Sequence, residues 1–231
     1  MKTIHLDSVG EVAIKKSARA KRVILKIRSD GVPEVVLPRF APYVVGERFA
    51  RSNIDWIVEH ASQSKVPHIT DGFSVGQDHK VKFVTDSTIL KPRSRVQSGT
   101  VTIHVPVGTS ADDPTVQKEA LKALTRAVKK SAEAHLPSRL YLLANTYDYK
   151  YTSVSVKNMR SRWGSCSSQG VIALNIWLMQ VPDRLKDYVL CHELAHLNNP
   201  HHQTAFWAEL EQMIPDYKTR RRELKQYHPS L

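Results

Sequence analysis

Cysteine is scarce in this chain of 231 residues, which contains only Cys166 and Cys191. Two cysteines do not make the disulfide framework that stabilises many small secreted domains, so we expect free thiols in a reducing compartment. The sequence also lacks an apolar run of about 20 residues, the length that a membrane-spanning helix requires. Its first residues contain no apolar segment of the kind found in signal peptides. These absences predict a cytoplasmic protein without an integral membrane segment.

Acidic residues are outnumbered by basic ones, 22 to 34, and the formal net charge is +12. Such an excess of positive charge favours anionic partners, including nucleic acid. The hydrophobic fraction of 41% and the charged fraction of 24% are typical of a folded globular chain and exclude a disordered one. At this length the chain can bury one large core or two smaller ones.

Alternation of apolar and polar residues in the N-terminal part of the chain predicts β-strands. Val23, Leu25 and Ile27 alternate in this way before the turn-forming Ser29-Asp30-Gly31, and a second strand is predicted at residues 34–38. This pattern predicts a β-hairpin. The other elements predicted in this part are a helix and two strands, at residues 43–62, 80–84 and 100–107.

The composition changes at residues 109–114, where acidic residues and a proline indicate the start of a long helix. Pro137 is expected to kink or break this helix. Strands are predicted at residues 153–157 and 171–178, joined as a hairpin by a loop with a glycine near each end.

Basic residues recur at four-residue steps along one face of the predicted long helix, at Lys118, Lys122, Arg126 and Lys130. A second basic cluster, at residues 220–222, lies near the C-terminus. A face of this kind either contacts solvent or follows the phosphates of a nucleic acid. The spacing is compatible with both interpretations.

The strongest chemical signal is the motif His192-Glu193-Leu194-Ala195-His196. Residues four apart on a helix share one face, so His192 and His196 can direct imidazole nitrogens at one metal ion. Glu193 lies beside them, where its carboxylate can hold and deprotonate a metal-bound water. The motif therefore predicts a hydrolytic zinc centre.

A third ligand is expected from the residues after Pro200, because proline disfavours helix at Asn199 and an asparagine there can adopt a left-handed turn. Three protein ligands and an open position are typical of catalytic zinc sites, whereas structural sites have four ligands. The candidates for the third ligand are His201, His202 and, as carboxylates, Glu209 and Glu211.

The loop before the motif carries Arg160 and Arg162. These side chains either lie in solvent or stabilise a carboxylate or an oxyanion in the site. A strand next to a zinc site can also bind an extended peptide through backbone hydrogen bonds.

Taken together, these residues resemble the YgjP-like metallopeptidase domain family, which is related to the SprT-like and WLM zinc proteases. The resemblance extends over nearly the whole chain and includes Asp55-Trp56-Ile57, Arg162-Trp163-Gly164-Ser165-Cys166-Ser167, the segment 192–197 and Phe206-Trp207. It implies that His192, His196 and His202 are zinc ligands and that Glu193 is the catalytic base. His202, rather than His201, has the register to Phe206-Trp207 that the family shows.

The predicted fold is α+β, with a strand-rich region at residues 1–108 and a zincin-like catalytic domain at residues 109–231. A β-hairpin is expected beside the active-site helix. The predicted function is a zinc-dependent metallopeptidase that hydrolyses peptide bonds in a protein or peptide substrate. One alternative is a protease that acts on DNA-bound or crosslinked proteins through its basic faces, and another is a non-catalytic zinc-containing binding module.

Overall fold

Contacts within the chain define two units, residues 1–67 and residues 68–231, each with its own cluster of buried apolar side chains. The computed structural model describes residues 2–7, 9–28, 31–63, 67–76 and 78–231, with the backbone alone at residues 60–63. The boundary predicted from the sequence, between residues 108 and 109, lies within the second of these units. The difference arises because strands before residue 108 share a core with the long helix that follows them.

The first unit contains a mixed β-sheet. Its strands are β1 (Lys2–Leu6), β2 (Gly10–Ser17), β3 (Ile24–Ile27) and β4 (Pro33–Pro38), and their spatial order is β1-β2-β4-β3. β1 pairs with β2 and β3 pairs with β4 in antiparallel fashion, while β2 and β4 are parallel. The predicted hairpin of β3 and β4 is confirmed, and Ser29 and Asp30 of its turn lie outside the described residues.

Two helices, α1 (Tyr43–Arg51) and α2 (Ile54–Gln63), occupy the stretch where the sequence predicted one helix over residues 43–62. The interruption has a local cause, since the side chain of Asn53 donates a hydrogen bond of 2.7 Å to the carbonyl of Phe49. That bond satisfies a carbonyl at the end of α1, as a helix terminus requires.

The second unit begins with a sheet of β5 (Ser74–Val75), β6 (His79–Asp86), β7 (Arg93–Gln97) and β8 (Thr100–Pro106), in the order β5-β6-β8-β7. The two strands that the sequence predicted here correspond to β6 and β8, and these pair in parallel. β7, which was not predicted, lies between them in sequence and pairs with β8 in antiparallel fashion.

The long helix α3 (Pro114–Thr146) packs against both sheets of this unit. It begins where Asp113 accepts a hydrogen bond of 2.8 Å from the amide of Thr115, as an N-cap does. Of the kink or break predicted at Pro137, the break does not occur, because α3 continues through this residue. Leu136 and Leu140, on either side of Pro137, are 1% and 0% exposed. Their burial offsets the hydrogen bond that proline removes.

A second sheet of this unit consists of β9 (Ser153–Lys157), β10 (Gly164–Cys166) and β11 (Val171–Asn175), in the order β10-β11-β9. The sequence predicted that the strands at residues 153–157 and 171–178 form a hairpin, which is wrong because β9 and β11 run parallel. The hairpin is formed by β10 and β11. Residues 176–178, predicted as the end of a strand, belong instead to a 3-10 helix (Ile176–Gln180) that Asn175 caps.

The chain continues into three helices, α4 (Asp183–Ala195), α5 (Thr204–Met213) and α6 (Tyr217–Leu224). Contacts between α4 and β10 place the hairpin of β10 and β11 beside the helix that carries the histidine motif. The combination of separate sheets and helices confirms the α+β fold class. Within the described ranges, none of the helices combines the length and the apolar character needed to cross a membrane.

Candidate metal centre

The helix α4 supplies the first two histidines of the site. Its apolar side is buried, with Leu185, Leu190 and Leu194 at most 1% exposed, and this anchors the helix in the core. His192 lies in the last turn of α4, and His196 is the residue that caps it. The centroids of the two imidazole rings are 4.9 Å apart. The four-residue spacing therefore brings the two rings together.

The turn after α4 differs from the expected one. The helix ends at Ala195, and the amides of Leu197 and Asn199 bond to the carbonyls of Leu194 and Ala195 at 2.9 and 3.0 Å. The prediction of a left-handed conformation at Asn199 is wrong. Among the described non-glycine residues, Ser98 and Asp148 are the ones with a positive φ. The tight turn needs no such residue, since its amides bond back to helix carbonyls.

His202 completes a cluster of three histidines. Each of His192, His196 and His202 offers a ring nitrogen within 4.8 Å of those of the other two. The Nε2 atoms of His192 and His202 are 3.0 Å apart. His201 does not belong to this cluster. Of the third-ligand candidates, the structure therefore brings His202 to the first two histidines.

The cluster has the chemistry that a zinc ion requires. Two nitrogens bound tetrahedrally at zinc distances lie about 3.4 Å apart, which is close to the His192–His202 separation. Burial, and after it the neighbouring His196 and His202, lower the pKa of His192 to about 3. The pKa of His202 is also lowered, first by burial and then by His196. Neutral imidazoles are the form that binds metals, so these residues fit a divalent ion.

A fully buried phenyl ring lies against all three imidazoles. The centroid of Phe206 is 4.9 Å from that of His192, 4.6 Å from that of His196 and 4.7 Å from that of His202. This ring supports the three imidazoles from one side and thereby limits their orientations.

Trp207 holds the third histidine from another side. Its indole stacks on the His202 ring with centroids 5.5 Å apart and planes inclined by 25°. Its Nε1–H donates a hydrogen bond of 3.1 Å to the His202 carbonyl. The indole also contacts Tyr217, stacked at 5.5 Å, and the guanidinium of Arg221, 4.7 Å from the ring centroid. These contacts fix the exposed side chain of His202, which lies beyond the end of α4.

Glu193 is buried against the backbone of β10. Its side chain is so close to Gly164 that a Cβ there would lie 2.6 Å from Oε1 and 2.8 Å from the carboxyl carbon. Burial raises the pKa of Glu193 to about 8, while the charge of Arg162 lowers it. Within the described part of the chain, Oε2 of Glu193 is buried without a hydrogen-bond partner. A buried acceptor of this kind is available for a proton from a substrate or a water.

The loop that carries Arg160 and Arg162 is held to its sheet by Asn175. The buried side-chain amide of Asn175 donates a hydrogen bond of 2.8 Å to the carbonyl of Arg162 and another of 2.9 Å to the carbonyl of Met159. Asn175 thus ties this loop to the end of β11, and the charge of Arg162 acts on Glu193. Neither Arg160 nor Arg162 forms an ion pair with a described acidic residue.

The two carboxylates considered as third ligands have other partners. Glu209 accepts hydrogen bonds from Tyr149, Asn198 and Asn199. Glu211 is exposed and lies 3.9 Å from the ammonium of Lys218. Neither belongs to the histidine cluster.

Comparison with known proteins agrees with the resemblance noted in the sequence. A family model described as "YgjP-like, metallopeptidase domain" matches residues 21–227. No curated protein matches the chain significantly. The crystal structure of the metallopeptidase zymogen abylysin from Pyrococcus abyssi is similar to part of the chain, with 23% identity and a TM-score of 0.36 over 39% of this chain and 93% of that one. The zymogen of jannalysin from Methanocaldococcus jannaschii gives 17% identity and a TM-score of 0.36, over 39% of this chain and 94% of that one. Because the family model spans most of its length, the chain belongs to the YgjP-like metallopeptidase domain family.

Proposed function

We propose that this metallopeptidase is zinc-dependent, with His192, His196 and His202 as the metal ligands and Glu193 as the catalytic base. The observation that carries the proposal is the cluster of three imidazole nitrogens within 4.8 Å of one another beside a buried carboxylate. Family membership supports peptidase activity and a metal ion in general terms. The identity of the metal and the role of each residue are our inference from the geometry.

The histidines prepare the site for metal. Nδ1 of His196 lies 3.0 Å from the carbonyl of Asn199, and only a protonated Nδ1 can donate to that oxygen. In the neutral ring the proton on Nδ1 leaves the Nε2 lone pair free for a metal ion. When bound, zinc supplies a Lewis acid for the scissile carbonyl and a coordinated water, and its charge favours the ionised form of Glu193.

Glu193 moves the protons of the reaction. Its carboxylate accepts a proton from the attacking water and then donates it to the nitrogen of the departing amine. Burial makes Glu193 a stronger base than an exposed glutamate, since its pKa is raised to about 8. Bound zinc would counter part of this rise, so that Glu193 is ionised before it accepts the proton of the attacking water.

The substrate is proposed to be a peptide in extended conformation. In the described part of the chain, β10 lies at an edge of its sheet, and its Gly164 lies against Glu193. A peptide that pairs with the free edge of β10 would gain backbone hydrogen bonds and pass beside the carboxylate. The guanidinium of Arg162 could then stabilise negative charge that develops on the substrate.

Cleavage of casein by Glu193→Gln tests the proposal, with Glu211→Gln as a matched control from the exposed face of α5. We expect Glu193→Gln to retain zinc and to lose almost all cleavage, whereas Glu211→Gln should cleave as the wild type does. Equal cleavage by wild type and Glu193→Gln would remove Glu193 from the mechanism. Loss of activity on this substitution with zinc retained would also exclude the alternative of a non-catalytic binding module.

The nucleic-acid alternative receives no specific support from the basic face of α3. Lys122 lies 4.0 Å from Glu119, and Arg126 donates a hydrogen bond of 3.2 Å to Ser94. These contacts are those of an ordinary solvated helix face. We therefore do not propose a DNA-associated substrate.

A further inference from the structure

Glu209 is at the centre of a hydrogen-bond network behind the proposed metal site. It lies on α5 and is partly buried. Its Oε1 accepts a hydrogen bond of 2.7 Å from Nδ2 of Asn198 and another from the hydroxyl of Tyr149. Its Oε2 accepts a hydrogen bond from Nδ2 of Asn199. One carboxylate thus binds two consecutive residues of the turn after α4 and a tyrosine that follows α3.

The network reaches the metal site through the backbone of Asn199. While its side-chain amide donates to Glu209, its carbonyl lies 3.0 Å from Nδ1 of His196. Both groups belong to one residue, so fixing the side chain restricts the direction of the carbonyl. The carbonyl in turn selects the tautomer and the ring orientation of His196.

The side chains of the turn depend on this support. The backbone amides of residues 197–199 bond back to carbonyls of α4, but the side chains of Asn198 and Pro200 are exposed. Within the described residues, the hydrogen-bond donors recorded for Glu209 are all neutral. A carboxylate accepts several such bonds more strongly than a neutral amide does. Tyr149 is itself anchored, since its amide donates to the carbonyl of Ala144 at 2.8 Å.

We propose that Glu209 is a positioning residue, which holds Asn199 so that its carbonyl keeps the His196 ring directed at the metal. The proposal rests on the metal site described above, which includes His196. Glu209 acts through Asn199 and touches neither the metal nor the substrate. Its role is therefore to set metal affinity, and it affects cleavage only as a consequence.

The substitution Glu209→Gln tests this role, because it keeps the shape of the side chain but replaces one oxygen by an NH₂ donor. Glutamine cannot accept from Tyr149, Asn198 and Asn199 at the same time. We expect zinc affinity, measured by competition with a chromogenic chelator, to fall by about 10- to 100-fold, the usual effect of losing a group that orients a ligand. Glu211→Gln, two residues away on the same helix, should bind zinc as the wild type does.

A swap of donor and acceptor distinguishes positioning from a general effect on folding. Adding Asn199→Asp to Glu209→Gln restores one contact with its direction reversed, because the new carboxylate accepts from the new amide. We expect this double variant to regain most of the lost affinity, whereas Asn199→Asp alone should bind zinc weakly, since two carboxylates then face each other. If Glu209→Gln does not fold, Asn199→Ala removes the same contact and should weaken zinc binding to a similar degree.

A readout without metal separates this proposal from the proposed function. Nitrogen chemical shifts of the imidazoles in the metal-free protein report whether His196 carries its proton on Nδ1. We expect that tautomer to dominate in the wild type and in the double variant, and to be lost in part in Glu209→Gln. Wild-type affinity and an unchanged His196 tautomer in Glu209→Gln would overturn the proposal. A wild-type protein that binds no zinc would overturn the proposed function instead, while the tautomer measurement would still test Glu209.

Discussion

The contact between Gly164 and Glu193 leads to a sharp prediction for Gly164→Ala. The new methyl group would lie 2.8 Å from both Cγ and the carboxyl carbon of Glu193. The ordinary separation of nonbonded carbon atoms is about 3.5 Å, so the carboxyl group must move by about 0.7 Å. A displacement approaching 1 Å can lower a rate by about 100-fold when it misplaces a catalytic group. We therefore expect kcat/KM to fall by about 10- to 100-fold.

The assay compares casein cleavage, zinc content and thermal unfolding of Gly164→Ala with those of the wild type. Zinc content should be unchanged, because the atoms that the new methyl group would meet first belong to Glu193 and not to a proposed metal ligand. Gly46→Ala is the control for overpacking, since its Cβ would lie 2.9 Å from Cγ2 of Ile14 in the core of the first unit. That variant should lose stability by about 1–3 kcal/mol. Wild-type kcat/KM in Gly164→Ala would refute the reasoning that this glycine sets the position of Glu193.

Three further predictions concern the surroundings of the site. Phe206→Ala should destabilise the protein by about 3–5 kcal/mol, measured by urea denaturation, because it leaves a cavity beneath the three histidines; a loss below about 1 kcal/mol would contradict the packing described here. Trp207→Phe removes the hydrogen bond from Nε1–H to the His202 carbonyl and should weaken zinc binding, while circular dichroism shows an intact fold. An unchanged zinc affinity would show that ring stacking alone is enough to hold His202. Burial raises the pKa of Cys191 to about 12, so little of its thiolate is present at pH 8. A disulfide reagent should therefore modify the partly exposed Cys166 first and Cys191 only after denaturation.

The sequence predicted the helix that carries the histidine motif well because the signal for it is local. The spacing of His192, Glu193 and His196 follows directly from the periodicity of an α-helix, which needs no knowledge of the rest of the fold. The spacing alone left His201 and His202 as alternatives, and the family resemblance favoured His202. The structure adds the physical reason, which is that Trp207 stacks on His202 and bonds to its carbonyl.

Features that depend on tertiary contacts were not predictable in the same way. Pro137 carries a strong local signal for a break, but the buried leucines beside it keep α3 continuous. β9 and β11 resemble the two strands of a hairpin, yet β10 intervenes and takes the antiparallel position on the other side of β11. Pairing partners of strands are set by packing across the sheet, which a single sequence does not reveal.

The residues that support the site were missed for a related reason. Glu209 was weighed as a metal ligand because carboxylates bind zinc, but its partners Tyr149 and Asn199 lie far from it in sequence. The close approach of Gly164 to Glu193 likewise joins two segments that only the folded chain brings together. One signal was present, since Gly164 belongs to the loop that carried the family resemblance.

Zinc content of the purified protein is the most direct test of the central claim, which is that His192, His196 and His202 bind one metal ion. Elemental analysis should be made on wild type, His202→Ala and the adjacent control His201→Ala. We expect about one zinc per chain in wild type and in His201→Ala, and a large loss in His202→Ala, as a site with three protein ligands requires. Absence of zinc from the wild type after addition of the metal, or loss of zinc in His201→Ala with retention in His202→Ala, would contradict the account.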